Sequence, residues 1–179
     1  MNSFIVLLRA VNVSGKNIIK MTELKSHLDY ANFKNVKTYI QSGNIILKSE
    51  LDKHKIQRTI TDLIHREFDL DVYVFTLTAQ ELHNIIENNP FPNNPPPNKV
   101  YSTLLAHTPA QEDIDKLNQI DLGEERYVLK DDVFYFYVPE GMANSKLSNQ
   151  FIENKLKVKA TGRNLNTILK LKDLLLTID

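Results

Sequence analysis

Thr38-Tyr39-Ile40-Gln41-Ser42-Gly43-Asn44-Ile45-Ile46-Leu47 decides the fold of the first half. It is apolar and β-branched on both sides of Ser42-Gly43 and predicts a β-hairpin with those two residues as the turn. A two-residue loop needs positive φ, which Gly43 supplies without steric cost. This register pairs Gln41 with Asn44, Ile40 with Ile45, Tyr39 with Ile46 and Thr38 with Leu47. Lys37 then opposes Lys48. Side chains alternate between faces, so Val36, Thr38, Ile40, Ile45 and Leu47 are expected toward the core. Tyr39, Gln41, Asn44 and Ile46 fall on an open face.

Working outward, Phe4 to Leu8 is a short apolar run that suits a strand buried on both faces. A polar loop, Ala10 to Lys20, leads to a helix with Thr22 as N-cap, ending near Tyr30. Beyond the hairpin, Asp52 or Ser49 starts a helix with Ile56, Ile60, Leu63 and Ile64 on one stripe. Val72 to Leu77 is a strand, and Thr78-Ala79-Gln80-Glu81 has the pattern of a capping box. The order β-α-β-β-α-β plus a helix is that of a ferredoxin-like unit, with its first and third strands central.

Five of the seven prolines lie between Asn88 and Asn98. Such a stretch continues neither helix nor ladder. It divides the chain into 1–89, a linker 90–98, and 99–179. The second half repeats the order: a strand Val100 to Ala106, a helix capped by Thr108-Pro109-Ala110-Gln111, and a hairpin turning at Asp131-Asp132. A helix capped by Asn144 or Ser145 follows, then a strand Val158 to Thr161. Gly162-Arg163-Asn164 turns into a last helix. The expected fold class is α+β, two ferredoxin-like halves with antiparallel sheets.

Lysine plus arginine and aspartate plus glutamate both number 22, so no whole-protein attraction to nucleic acid or anionic lipid is indicated. Glu112 to Glu140 holds nine acids and three bases, whereas Met142 to Lys172 holds seven bases and one acid. Complementary surfaces within one half account for this, with a basic binding stripe as the alternative. The absence of cysteine excludes disulfides and thiol chemistry and fits a reducing, cytoplasmic setting. No apolar run approaches the ~18 residues of a membrane span, so no membrane partner is expected.

Leu7-Leu8-Arg9-Ala10-Val11-Asn12-Val13-Ser14-Gly15-Lys16-Asn17, Met21 and Thr38 to Asn44 resemble the bacterial family catalogued as domain of unknown function 1697. So do Pro139-Glu140-Gly141 with Ser145-Lys146-Leu147, and Thr161 to Thr167 with Lys170-Leu171. The resemblance implies two ferredoxin-like halves and a cytosolic bacterial protein, and it implies no reaction. The family favours Gly where this chain has Ala10 and Ser14, and Trp where it has Leu165. An aromatic stacking role at that last position is not open to Leu165.

Topology brings the end of the first strand beside the start of the third, so Arg9 is expected near Ser42 and Asn44. Asn12, Lys16 and Asn17 emerge at the same end. Arg9, Asn12, Lys16, Asn17, Gln41, Ser42 and Asn44 are therefore the candidate ligand-binding residues, with Arg163 and Asn164 as a second anion contact. The opposing reading is that these groups satisfy loop backbone. Ala10 to Asn17 misses a phosphate-binding P-loop: Ala replaces the first Gly and Asn17 the magnesium-binding hydroxyl. Ser42 lacks a nucleophile elbow. The five histidines have no metal spacing, and no metal site is expected. Tyr135 and Tyr137 on an open sheet could stack bases, but the RNA-recognition pattern is missing. No cofactor, catalytic residue or oligomeric state is indicated, and whether the chain is an enzyme is left open. The expected function is binding of a small anionic, phosphorylated or nucleotide-like ligand. The alternatives are a nucleic-acid module using Lys146 to Lys172, or a dimeric interaction protein.

Overall fold

A computed structural model describes residues 1–91 and 95–178. Contacts divide the chain into two compact units, Met1–Asn84 with Lys170–Asp179, and Ile85–Leu169. The C-terminal segment thus sorts with the first unit. Pro92, Asn93 and Asn94 of the expected linker lie outside the described residues, and Pro97–Lys99 forms a single 3-10 turn.

In the first unit the elements are β1 (Asn2–Leu8), α1 (Met21–Tyr30), β2 (Lys34–Tyr39), β3 (Asn44–Ser49), α2 (Lys53–Phe68) and β4 (Val74–Thr78), with α3 (Ala79–Glu87) following. The sheet order is β2-β3-β1-β4, all antiparallel, the ferredoxin-like arrangement. Phe4, Val6, Leu8, Ile45 and Leu47 pack on the apolar stripes of α1 and α2, including Leu24, Leu28, Ile56, Ile60 and Ile64. Asp52 caps α2 by accepting from Lys55 N at 2.9 Å. The capping box of α3 is reciprocal: Thr78 N donates to Glu81 Oε2 at 2.8 Å, and Glu81 N to Thr78 Oγ1 at 3.1 Å. The N-cap of α1 is Lys20, without a side-chain bond, and Thr22 lies inside the helix.

The hairpin differs from the sequence expectation. Tyr39 pairs with Asn44, Thr38 with Ile45 and Lys37 with Ile46, so Ile40–Gly43 forms a four-residue loop. The shift is by two residues, an even number, which leaves every strand residue on its expected face. Ile40 alone leaves the core: it sits in the loop at φ 48° and is 52% exposed. Two contacts set this loop length. Asn44 Nδ2 donates to Tyr39 O at 3.1 Å and Ser42 Oγ at 2.9 Å, bridging the loop's two ends. Gly43 lies where a Cβ would come within 2.6 Å of Leu8 Cβ and Val11 Cγ2. Lys34, rather than Lys37, faces Lys48, because an irregularity between Lys34 and Lys37, with Asn35 at φ 51°, resets the edge strand. The face expected to be open is closed, with Ile5, Leu7, Asn44 and Ile46 buried. At the edge, Asn35 Nδ2 donates to Ile178 O at 3.0 Å and Lys37 Nζ to Thr177 Oγ1 at 2.7 Å.

The second unit holds β5 (Val100–Leu105), α4 (Gln111–Asn118), β6 (Arg126–Lys130), β7 (Val133–Tyr137), α5 (Asn149–Leu156) and β8 (Ala160–Asn164); α6 (Leu165–Leu175) follows. Its order, β6-β7-β5-β8, is the same arrangement. The two-residue turn at Asp131-Asp132 is as expected, with Lys130 paired to Val133. Three starts move. α4 begins at Gln111 with Ala110 as N-cap, because Thr108 Oγ1 donates to Asp132 Oδ1 at 2.6 Å instead of capping. α5 is capped by Ser148, which accepts from Phe151 N at 3.2 Å, and a 3-10 turn occupies Met142–Asn144. β8 extends through Asn164, so Gly162 and Arg163 are ladder residues paired with Thr103 and Ser102.

Candidate functional site

The end of the first sheet is built by one loop and one turn held side by side. β1 continues past Leu8, whose N–H donates to Gly43 O at 2.8 Å. Arg9 N then donates to Tyr73 O at 3.0 Å. The chain next takes an unusual path. Ala10, Asn12, Ser14, Gly15 and Asn17 all have positive φ, five residues within eight. Only Gly adopts this region freely; Asn tolerates it, and for Ala and Ser it is disfavoured.

Asn12 is the hub of this end. Its Nδ2 donates to Gln41 O at 2.7 Å and to Ile19 O at 2.9 Å, and its Oδ1 accepts from Ile19 N at 2.9 Å. Asn17 Nδ2 donates to Ala10 O at 2.9 Å, while Asn17 O accepts from Asn12 N at 3.1 Å. A tight reversal, Lys16 N to Val13 O at 2.9 Å, forms the tip. Of the residues expected to gather at this end, Asn12 reaches Gln41 O and Asn44 reaches the Ser42 hydroxyl. The amides of Asn12, Asn17 and Asn44, however, bond the backbone and the Ser42 hydroxyl. They shape the two loops.

The cations of the Arg9–Lys20 connection are Arg9, Lys16 and Lys20. No Asp or Glu occurs in residues 1–22 or 30–49, whereas the connection leading to Tyr73, which meets Arg9, carries Asp69 and Asp71. Lys16 is exposed, and Lys20 pairs with Glu23 on α1 at 3.0 Å. Successive N–H groups in a chain that alternates between left- and right-handed residues form concavities suited to anions.

Arg163 and Asn164 lie in the second unit. Asn164 caps α6 by accepting from Thr167 N at 2.9 Å. Arg163 is neither at a helix opening nor solvated. It is buried on β8, and its Nη1 donates to Thr161 Oγ1 at 3.0 Å and Gly162 O at 2.8 Å. Burial lowers its pKa to about 10. Tyr135 is buried as well, its hydroxyl donating to Ile85 O at 3.1 Å, and burial raises its pKa to about 12. It has no face to offer a base. Sequence reasoning placed Ile40 in the core, whereas it is exposed, since no local pattern separates a loop isoleucine from a strand one.

A family model matches residues 1–135. The chain belongs to the family described as Protein of unknown function (DUF1697). The matched span includes the whole loop-and-turn end of the first unit and stops before Arg163. The fold is similar to that of the conserved bacterial protein SP0830 from Streptococcus pneumoniae: TM-score 0.76 at 20% identity, over 97% of this chain and 98% of that one. No curated protein matches. Among the described residues no helix is long and apolar enough to cross a membrane, and no group of three or more His, Cys, Asp or Glu is placed to hold a metal.

Proposed function

We propose that the end of the first unit, where the Arg9–Lys20 loop meets the Ile40–Gly43 loop, binds a small anionic ligand of phosphorylated or nucleotide-like type, in a cytoplasmic protein. One observation carries this reading: the second unit has the same backbone plan, but its β5–α4 connection holds no Arg or Lys and no residue at positive φ. Leu105 N donates to Asp132 O at 2.8 Å and Ala106 N to Lys159 O at 2.9 Å, matching Leu8 with Gly43 and Arg9 with Tyr73. By this correspondence Ala106 stands where the first unit has Arg9. The connection to the helix shortens to Ala106–Ala110, and the turn is acidic, Asp131-Asp132. A cationic, strained loop grafted on one of two equivalent scaffolds is an economical sign of ligand binding.

Arg, Lys, Asn, Gln and Ser include no base of ordinary neutral-pH strength, so the residues favour binding over proton transfer. The nucleic-acid alternative draws less support, because its basic stretch is used inside the second unit. Lys157 Nζ meets Asp113 Oδ1 at 2.7 Å, and Lys146 Nζ donates to Asp121 O at 2.8 Å.

The test is a low-salt thermal-shift titration with inorganic phosphate and adenosine monophosphate. A ligand that binds the native state raises the melting temperature. The Arg9→Ala, Lys16→Ala double variant should remain folded and lose the shift. Undiminished shifts in the folded double variant would place the anion elsewhere.

A further inference from the structure

Each sheet ends in two edge strands: β2 and β4 in the first unit, β6 and β8 in the second. An open edge offers a row of unpaired N–H and C=O groups to another strand, and folded chains close or blunt such edges. All but β6 are closed or blunted. On β8, Glu153 Oε1 accepts from Ala160 N at 2.7 Å, Asn149 Nδ2 donates to Ala160 O at 2.6 Å, and Arg163 Nη1 donates to Gly162 O at 2.8 Å. On β4, Thr78 N is held by Glu81, and Val74 and Thr76 are buried. β2 is irregular between Lys34 and Lys37, and the side chains of Asn35 and Lys37 hold Ile178 and Thr177 beside it.

β6 has none of these devices. It pairs with β7 without a bulge from Arg126 to Lys130, and its residues are half-buried or exposed. The ladder fixes which way its backbone points. Leu105 N donates to Asp132 O and Val138 N to Lys99 O, so the even-numbered residues of β7 bond β5 and the odd-numbered ones bond β6. Those odd-numbered residues, Val133, Tyr135 and Tyr137, face Lys130, Val128 and Arg126. The N–H and C=O groups of Tyr127 and Leu129 therefore point away from the sheet, in its plane, and nothing among the described residues bonds them.

The charges along this edge select the guest. Glu124, just before β6, and Arg126 are exposed and make no ion pair among the described residues. Lys130 Nζ donates to Asn88 O at 2.8 Å, a neutral partner that leaves its charge in place. In antiparallel pairing with a second copy about a twofold axis at Tyr127, each Lys130 faces the second copy's Glu124, and Arg126 faces Val128. With the axis moved to Val128, Arg126 faces Lys130 and Glu124 faces Asp132, which sets like charges opposite each other. The chain's own strand thus has a register of opposite charges, centred on a residue whose backbone is open.

We propose that β6 is the interface of a homodimer, in which two copies pair antiparallel about Tyr127 and join their four-stranded second sheets into one. Tyr127 N–H and C=O exchange bonds with those of the other copy, and Leu129 N–H meets the other copy's Glu125 C=O. The interface is self-complementary, so each contact off the axis occurs twice.

Sedimentation velocity of the full chain over a dilution series, with amide exchange at high and low concentration, tests this. The wild type should pass from dimer to monomer on dilution, and the Tyr127 and Leu129 amides should exchange more slowly in the concentrated sample. Glu124→Lys sets lysine against lysine at both ends and should weaken association about tenfold at low salt. Adding Lys130→Glu restores opposite charges and should recover most of that loss. Leu129→Pro removes an outward N–H, which an edge strand tolerates, and should abolish the dimer. If Leu129→Pro does not fold, the charge swap decides alone. A wild type that stays monomeric at every concentration would overturn the proposal and leave this edge to a foreign strand. A dimer undiminished by Glu124→Lys and by folded Leu129→Pro lies elsewhere on the chain, which overturns it too. Failure of the charge swap to recover association would rule out the axis at Tyr127.

Discussion

After β1 the chain takes twelve residues, Arg9–Lys20, to reach its helix; after β5 it takes five, Ala106–Ala110. The strand before each connection is tied in the same way, by Leu8 N to Gly43 O and by Leu105 N to Asp132 O, both at 2.8 Å. The short connection has no residue at positive φ, while the long one has five. Across the sheet end, one hairpin turns in two residues and the other in four. Each version completes a four-stranded sheet of the same strand order. The additional length, strain and positive charge of the first unit are therefore not requirements of the fold. They are features placed on it, which is the pattern expected of a site carried by a scaffold.

The largest expected effect probes the closeness of loop and sheet. Gly43→Ala would place a Cβ 2.6 Å from Leu8 Cβ and Val11 Cγ2, at a residue with φ 75°. Overpacking and the left-handed backbone together should cost about 3–5 kcal/mol. Gly15→Ala, at φ 74° but with nothing within 4 Å, isolates the backbone part and should cost about 1 kcal/mol. Urea unfolding of both separates the two contributions. Equal losses would mean that Gly43 is not pressed against β1.

A smaller effect follows from the ties between loop and turn. The Asn12 side chain makes three hydrogen bonds, two within its own loop to Ile19 and one across to Gln41 O, whereas in the second unit the Thr108 side chain makes one, to Asp132. Asn12→Ala should cost about 2–3 kcal/mol and Thr108→Val about 0.5–1 kcal/mol, from the usual net worth of such bonds. Hydrogen exchange should show the Gln41–Gly43 amides opening faster in the first variant. Unchanged protection there would detach Asn12 from the turn.

What was legible in the sequence was local or topological. Thr78 and Glu81 announce their reciprocal cap because both partners lie within one helical turn. Asp131-Asp132 announces its turn because strong strand formers flank it. Convergence of the Arg9–Lys20 loop on the hairpin followed from strand order alone. Register was harder, since Ser42-Gly43 serves a two- or a four-residue loop, and the choice depends on Leu8 and Val11, far away in sequence. Gly162-Arg163 reads as a turn because of its glycine, but both residues pair in the ladder with Thr103 and Ser102. Asn144, Ser145 and Ser148 are all competent caps, and only packing selects the third. Strain in the first loop had one trace in the sequence. Ala10 and Ser14, where the family resemblance implies Gly, are both at positive φ. Ala10→Gly and Ser14→Gly should each stabilise the chain by about 0.5–1 kcal/mol in denaturant melts, because relief of the left-handed conformation outweighs added freedom of the unfolded chain. A loss in either would show that its side chain makes a contact worth more than the strain.

The smallest predicted change is also the sharpest contrast between the turns. From sequence, Ile40 faces the core, and truncation to Ala would cost about 2–5 kcal/mol through a cavity. In the structure it is half exposed at the tip of a strained turn. Ile40→Ala removes little buried surface and no hydrogen bond of the side chain, so stability should change by less than about 0.5 kcal/mol. Ile40→Gly should gain about 0.5 kcal/mol, the balance of relieved strain against the entropy of an added glycine. Asp131→Gly should gain less, because Asp tolerates the left-handed region better than a β-branched residue does. Parallel urea melts of the three variants rank these effects directly. A loss of about 2 kcal/mol or more in Ile40→Ala would put that side chain back in the core, restore the two-residue turn, and remove the contrast between the two ends of the molecule's sheets.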